Sequence, residues 1–226
     1  MINRTSLSKT VDAIHAAYFE GRTPGADERR RAAQWIAARQ GLPGAYGDTF
    51  AGFPAERGGI VVFTGERIAH ASARHILGEE ASRALRQLRV RDATVTRALA
   101  AADEGLQRCL ARAAEHPRWI NPGLFCCGKC SVGMWRNLLA GGLDRQEERL
   151  QEGASHLRSV RKGASEWRTF PFWYTVLALS EMNHAAAKAE LKYAAPELTR
   201  VANRPKPSAP YAQRRYELAI RSLNRL

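Results

Sequence analysis

The sequence predicts a mostly α-helical fold of stacked helical hairpins with one small β element. Three observations lead there: apolar residues recur at spacings of three and four through most of the chain, glycines suited to the left-handed position close the first two periodic runs, and a single stretch reads as strand.

In chain order, a first helix is expected from about Ser8 to Glu20, stopped by Gly21, and a second from about Ala26 to Gln40, stopped by Gly41. From Gly41 to Gly59 the chain reads GLPGAYGDTFAGFPAERGG, rich in Gly, Pro and aromatics. A loop of that length inside a compact domain suits a lid or binding loop. It leads into IVVFTGERI (Ile60 to Ile68), the strand candidate, whose plainest form is a short hairpin turning at FTGE. A third helix covers about Ala71 to Leu88. The clearest periodicity follows: Val95, Leu99, Ala102, Leu106, Cys109 and Ala113 mark one stripe of a helix running from Asp92 to near His116. Cys109 on that stripe reads as a buried, reduced thiol.

After LFCCGKCSVGMW (Leu124 to Trp135), five more helical stretches are expected: SVGMWRNLLA, DRQEERLQEGASHLRSVRK, PFWYTVLALSEM, HAAAKAELKYAAPELTRVANR and PYAQRRYELAIRSLNRL. The second has acids in its first turns and Arg158, Arg161 and Lys162 in its last, complementing the helix dipole. PFWYTVLAL is apolar nearly all round, so it reads as a buried inner helix, with Pro171 where a first turn tolerates it. PKPSAP joins the last two helices.

A chain of 226 residues, 45% hydrophobic and 25% charged, suits a single folded domain spanning 1–226. The N-terminus has no uninterrupted apolar run of a secretory signal, and FPFWYTVLAL is about half the ~20 residues that cross a bilayer. A cytoplasmic protein with no membrane partner is therefore expected. Four cysteines are too few for a disulfide scaffold, which leaves reduced, metal-bound or redox thiols. The formal charge of +13, carried mostly by arginine, favours phosphate-bearing partners, nucleic acid first, although an arginine-rich solvated surface would read the same way.

Two segments, AAQWIAARQGLPGAYGDT (Ala32 to Thr49) and WRTFPFWYTVLALSEM (Trp167 to Met182), resemble the helical repeats of the squalene cyclase and protein prenyltransferase superfamily. That resemblance implies an α/α toroid of inner and outer helices around a cavity. The chain departs from it: no two aspartates lie closer than Asp92 and Asp103, so the aspartate-rich acid of the cyclases has no counterpart, and the prenyltransferase zinc ligands match no spacing here. ALSEMNHAAAKAELKYAAPEL is equally similar to a HEAT-like helix pair, which implies a basic concave face toward phosphate backbones.

Chemistry concentrates at two places. Cys127 and Cys130 form a Cys-x-x-Cys pair beside Cys126, and Gly128 lets the backbone approach closely. Such thiolates clasp a metal such as zinc, with His116, His156 or His184 arriving through the fold; at a helix N-terminus, with Lys129 and Arg136 nearby, they serve as a redox pair; buried, they pack. His75 and Glu79 lie four apart, as an acid/base pair or as an exposed ion pair, with Asp48, Tyr46 and Glu66 as candidates to converge on them.

The C-terminal segment carries Arg200, Arg204, Lys206, Arg214, Arg215, Arg221 and Arg225, a stripe suited to a phosphate backbone, with Tyr211, Leu218 and Leu223 facing inward. Two function classes stand: a basic helical-repeat protein binding an anionic partner, nucleic acid or another phosphate-bearing ligand, without sequence specificity; or a small enzyme with a cavity lined by Tyr46, Phe50, Trp173 and Tyr174 and with His/Glu or Cys chemistry, zinc included.

Overall fold

Ser6 opens the first helix by accepting the Lys9 amide at 3.1 Å, in a computed structural model that describes residues 1–115 and 121–226. The protein is mostly α. Helices α1 (Leu7–Phe19) and α2 (Ala26–Ala37) lie close to their expected bounds, and Gly21 and Gly41 take the left-handed φ of 74° and 67° that follow a helix end.

The loop after α2 is held from within. Thr49, Phe50 and Ala51 are buried, and Glu56 accepts the Leu7, Ser8 and Phe53 amides, tying the loop to the start of α1. The hairpin forms as β1 (Gly59–Val61) and β2 (Arg67–Ala69), antiparallel with Ile60 opposite Ile68. Its turn needs Gly65, at φ 84°, because a Cβ there would stand 2.7 Å from Tyr211.

Helix α3 (Ala71–Leu88) is the centre of the packing: it lies against α1, α2, α4 (Ala93–Ala114), α5 (Gly128–Leu139) and the hairpin. Every residue from His75 to Leu85 is buried, including Glu79, Glu80 and Arg83. Asp92 caps α4 by accepting the Thr94 and Val95 amides, and Cys109 is buried on its apolar stripe as expected.

The second half adds α6 (Gln146–Leu157), α7 (Phe172–Glu181), α8 (Ala185–Ala202) and α9 (Pro210–Leu223). The expected helix through Lys162 stops five residues short. A second hairpin, β3 (Arg161–Lys162) with β4 (Glu166–Trp167), takes its place, because Arg161 and the Trp167 indole both donate to Glu190 of α8 at 2.8 Å. Helix α7 is buried from Tyr174 to Leu179, while Phe172 and Trp173 at its start are half-buried. Among the described residues no helix is long and apolar enough to cross a membrane.

Gly123 fixes how the chain enters α5. Its carbonyl accepts the Trp135 indole at 2.7 Å, and a Cβ would meet the backbone of Gly153 and Arg149 on α6. Gly123→Ala is expected to lower unfolding stability by about 1–3 kcal/mol, the usual cost of overpacking, read as a lower urea midpoint.

Candidate functional site

Three cysteines meet where α5 begins. The Cys127 amide donates to the Phe125 carbonyl at 2.6 Å, closing a three-residue turn with Cys126 at φ 59°. A positive φ in a non-glycine residue at such a turn is strained, and strain of this kind collects at functional sites. Phe125 is pinned in turn by Ser131, whose hydroxyl accepts the Phe125 amide at 2.9 Å. Gly128 lets the helix start press on Thr169, since a Cβ there would stand 2.6 Å from the Thr169 carbonyl oxygen. The result brings the Cys126, Cys127 and Cys130 sulfurs within 4.8 Å of one another, a group that could hold a metal ion. Cys126 and Cys127 reach solvent and Cys130 is buried.

The three thiols differ in acidity. Cys127 stands at the N-cap position of α5, and its thiol falls to about 5: the neighbouring Cys130 thiol favours its thiolate most, partial burial opposes this, and the amides at the helix start and Ser72 favour the thiolate further. Cys130 is pushed far the other way, because its proton is held by Cys127 and its surroundings are dry. Cys126 is raised by burial and by the Cys127 thiolate. Ser72 Oγ, at the start of α3, is 3.8 Å from Cys127 Sγ.

The second expected site adjoins the first. Tyr46 packs on His75 with tilted rings whose centres are 4.6 Å apart, and Phe125, one residue before the cysteines, meets the same imidazole edge-on at 4.6 Å. His75 Nε2 is 3.1 Å from Glu79 Oε1, and Asn137 of α5 donates to Glu79 Oε2 at 2.7 Å. The pair is buried, not an exposed ion pair as a charged helix face would have it. Tyr46, half-buried, has its phenol raised by burial and by the nearby Cys109 thiol.

The remaining expected members go elsewhere. Asp48 is exposed and pairs with Arg108 at 2.7 Å. Glu66 caps α7, accepting the Trp173 and Tyr174 amides. Phe50 is core, Trp173 lines a cleft beside α8 and α9, and the Tyr174 hydroxyl donates to Glu80. With Tyr46 at His75, the four aromatics therefore do not share one cavity. Each was placed by a different neighbour that spacing does not reveal.

Of the histidines proposed as further ligands, His156 and His184 do not join the cysteines. His184 caps α8, accepting the Ala187 amide at 3.3 Å, and the half-buried His156 faces Phe170; His116 lies outside the described residues. Arg136 adds no charge at the thiols, because Glu80 and Glu181 hold it at 2.6 and 2.9 Å.

That ion pair belongs to a buried network the sequence reading missed. Arg83 joins it through Glu181 at 2.6 Å, and His15 of α1 places Nδ1 3.4 Å from Glu80 Oε2. Its one legible signal is ILGEEASRAL, where two acids and an arginine interrupt an otherwise apolar helix.

The C-terminal basic residues are largely engaged within the protein. Arg214 pairs with Asp12 through both terminal nitrogens, Arg200 with Glu197 and Lys206 with Glu217. Arg215, Arg221 and Arg225 donate to the carbonyls of Thr64, Phe19 and Met182. Leu218 is buried as expected and Leu223 is half-buried, but Tyr211 is 39% exposed, because Arg214 takes the inward position beside Asp12. No protein-family model, curated protein or solved structure matches the chain. The chemistry of the site rests on its own geometry.

Proposed function

We propose that Cys127 and Cys130 work as a dithiol–disulfide pair that exchanges with a disulfide of a partner molecule. The observation that carries this reading is the asymmetry of the two thiols: Cys127 reaches solvent at a helix N-terminus with its thiol lowered, Cys130 is buried with its thiol raised, and their sulfurs lie within 4.8 Å of each other. In the forward direction the Cys127 thiolate attacks one sulfur of the partner disulfide and expels the other as a thiolate. Cys130 then loses its proton, attacks Cys127 and releases the second partner thiol. The partner gains two electrons and two protons, one from Cys130 and one from solvent, and the protein is left with a Cys127–Cys130 disulfide.

Glutathione disulfide tests this on protein purified without a metal-chelating tag. The expected result is rapid loss of a pair of thiols, assigned to Cys127 and Cys130 by peptide mapping. Thiols that glutathione disulfide leaves untouched until the protein is denatured would sink the proposal. Cys126, the third sulfur, supports zinc as the competing occupant; about one zinc per chain, lost in Cys126→Ser, would move the cluster from exchange to metal binding.

Alkylation at Cys127 has a defined pH dependence. Because only the thiolate reacts and its acidity is raised, the iodoacetamide rate should climb through a midpoint near pH 5 and be flat by neutrality. An ordinary cysteine would still be climbing at about pH 8.

Binding to a phosphate backbone is the second reading. It is favoured by a cleft of about 270 Å³ where Trp173 and Tyr216 lie among Arg200, Arg204 and Arg215. Its signature is retention on single-stranded nucleic acid that weakens steeply with salt.

A further inference from the structure

The exchange reaction uses two sulfurs, yet a strained turn gathers three. Adjacent side chains of an extended chain point to opposite faces, so Cys126 next to Cys127 would turn its sulfur away. The turn closed by the Cys127 amide on the Phe125 carbonyl, with Cys126 at φ 59°, folds it back, and the Cys126, Cys127 and Cys130 sulfurs come within 4.8 Å of one another. At about 2.3 Å per bond, sulfurs that share one ion lie about 4 Å apart, so the group is sized for a single ion.

The rest of the donor set selects which ion. Among the described residues no further thiol, imidazole or carboxylate joins the three sulfurs. Zinc in a closed site takes four ligands, so here it would keep a water in its shell. Two positive charges against three thiolates would also leave a net negative complex, and a monovalent ion such as Cu(I) would leave a larger one. Both are costly at Cys130, which is fully buried at a helix start where Phe125 and Phe170 are buried too. A soft trivalent ion that completes its shell with three sulfurs gives a neutral complex. Arsenic(III) is such an ion: a lone pair fills its fourth direction, and in neutral water it travels as an uncharged trihydroxide.

We infer that Cys126, Cys127 and Cys130 capture one arsenite as a trivalent arsenic bound through all three sulfurs. Three As–O bonds break and three As–S bonds form with no change of oxidation state. The hydroxides leave as three waters, taking the Cys126 and Cys130 protons and, for the Cys127 thiolate, one proton from solvent. Capture needs only reduced thiols and does not rest on the exchange reaction, although the bound ion withdraws Cys127 and Cys130 from it.

Sodium arsenite, titrated into the reduced, metal-free full chain and followed by native mass spectrometry, tests this. One arsenic per chain is expected, with X-ray absorption showing sulfur neighbours only. Cys126→Ser, which leaves arsenic two sulfurs and one hydroxide, should bind at least about tenfold more weakly, whereas Cys109→Ala, altered at a buried thiol outside the group, should bind as the parent does. No retained arsenic, an oxygen neighbour on arsenic in the parent protein, equal affinity in Cys126→Ser, or displacement of arsenite by zinc at equal concentration would each overturn the three-sulfur site. The titration contains no disulfide, so its failure and the failure of exchange with glutathione disulfide are separate results.

Discussion

Cys127→Ser should cut the rate of iodoacetamide labelling at pH 7 by about a hundredfold and abolish oxidation by glutathione disulfide. At that pH the Cys127 thiol, lowered to about 5, is almost wholly thiolate, whereas Cys126 and Cys130 are raised above the ordinary range and stay protonated. Reactivity follows the thiolate population, so the remaining cysteines contribute on the order of one part in a hundred. Cys130→Ser makes the complementary case. It retains the attacking sulfur and loses the resolving one, so glutathione should accumulate on Cys127 as a stable mixed disulfide visible by intact mass. If Cys130→Ser is labelled no faster than Cys127→Ser, the roles of the two sulfurs are reversed and the exchange scheme fails.

Arg136→Ala should destabilise the protein by about 3–5 kcal/mol, measured as a shifted urea unfolding curve. Arg136 is 2% exposed and binds Glu80 and Glu181, which come from two other helices, so its removal strands a carboxylate in the core. Arg136→Lys should recover only part of this, since an ammonium cannot meet both carboxylates with a planar fork. A loss below about 1 kcal/mol would mean that water reaches Glu80.

The same network sets an acid limit. Burial pushes His15 from its ordinary 6.5 to about 3, with Glu80 opposing that shift and the nearby arginines adding to it. Glu80 is held at about 2, because Arg136, His15 and Arg83 outweigh the effect of burial. In both cases the unfolded chain binds its proton at a higher pH than the folded one. Stability is therefore full above about pH 6.5 and falls as the medium is acidified toward pH 2, first through His15 and then through Glu80.

Much of the local structure was legible because its causes are local. The bounds of α3, the glycine stops after α1 and α2, the hairpin at Ile60 to Ile68 and the Asp92 cap all follow from periodicity and turn chemistry within a few residues. Cys127 and Cys130 were visible for the same reason: a helix following directly on a Cys-x-x-Cys pair is a property of neighbours in sequence.

Joining the sites was beyond that reach. His75 and the cysteines are more than fifty residues apart in sequence, and their meeting through Phe125 and Tyr46 depends on how α3 and α5 cross. The buried charges show why more forcefully. Glu79 reads as half of an exposed ion pair and Arg136 as charge beside the thiols because charge is expensive to bury; only partners from other helices make the interior tolerable for them and for Glu80 and Arg83, and pattern analysis cannot see those partners. The arginine-rich C-terminus reads as a free stripe for the same reason, whereas Asp12, Phe19, Phe63 and Met182 lie far away in sequence and meet it only after folding. By itself the sequence determined which segments are helical and which thiols stand at a helix start, because neighbouring residues set both. The tertiary structure alone decided which charges are paired, which thiol is ionised and where a cavity remains, because each depends on desolvation and contact between segments that the chain order keeps apart.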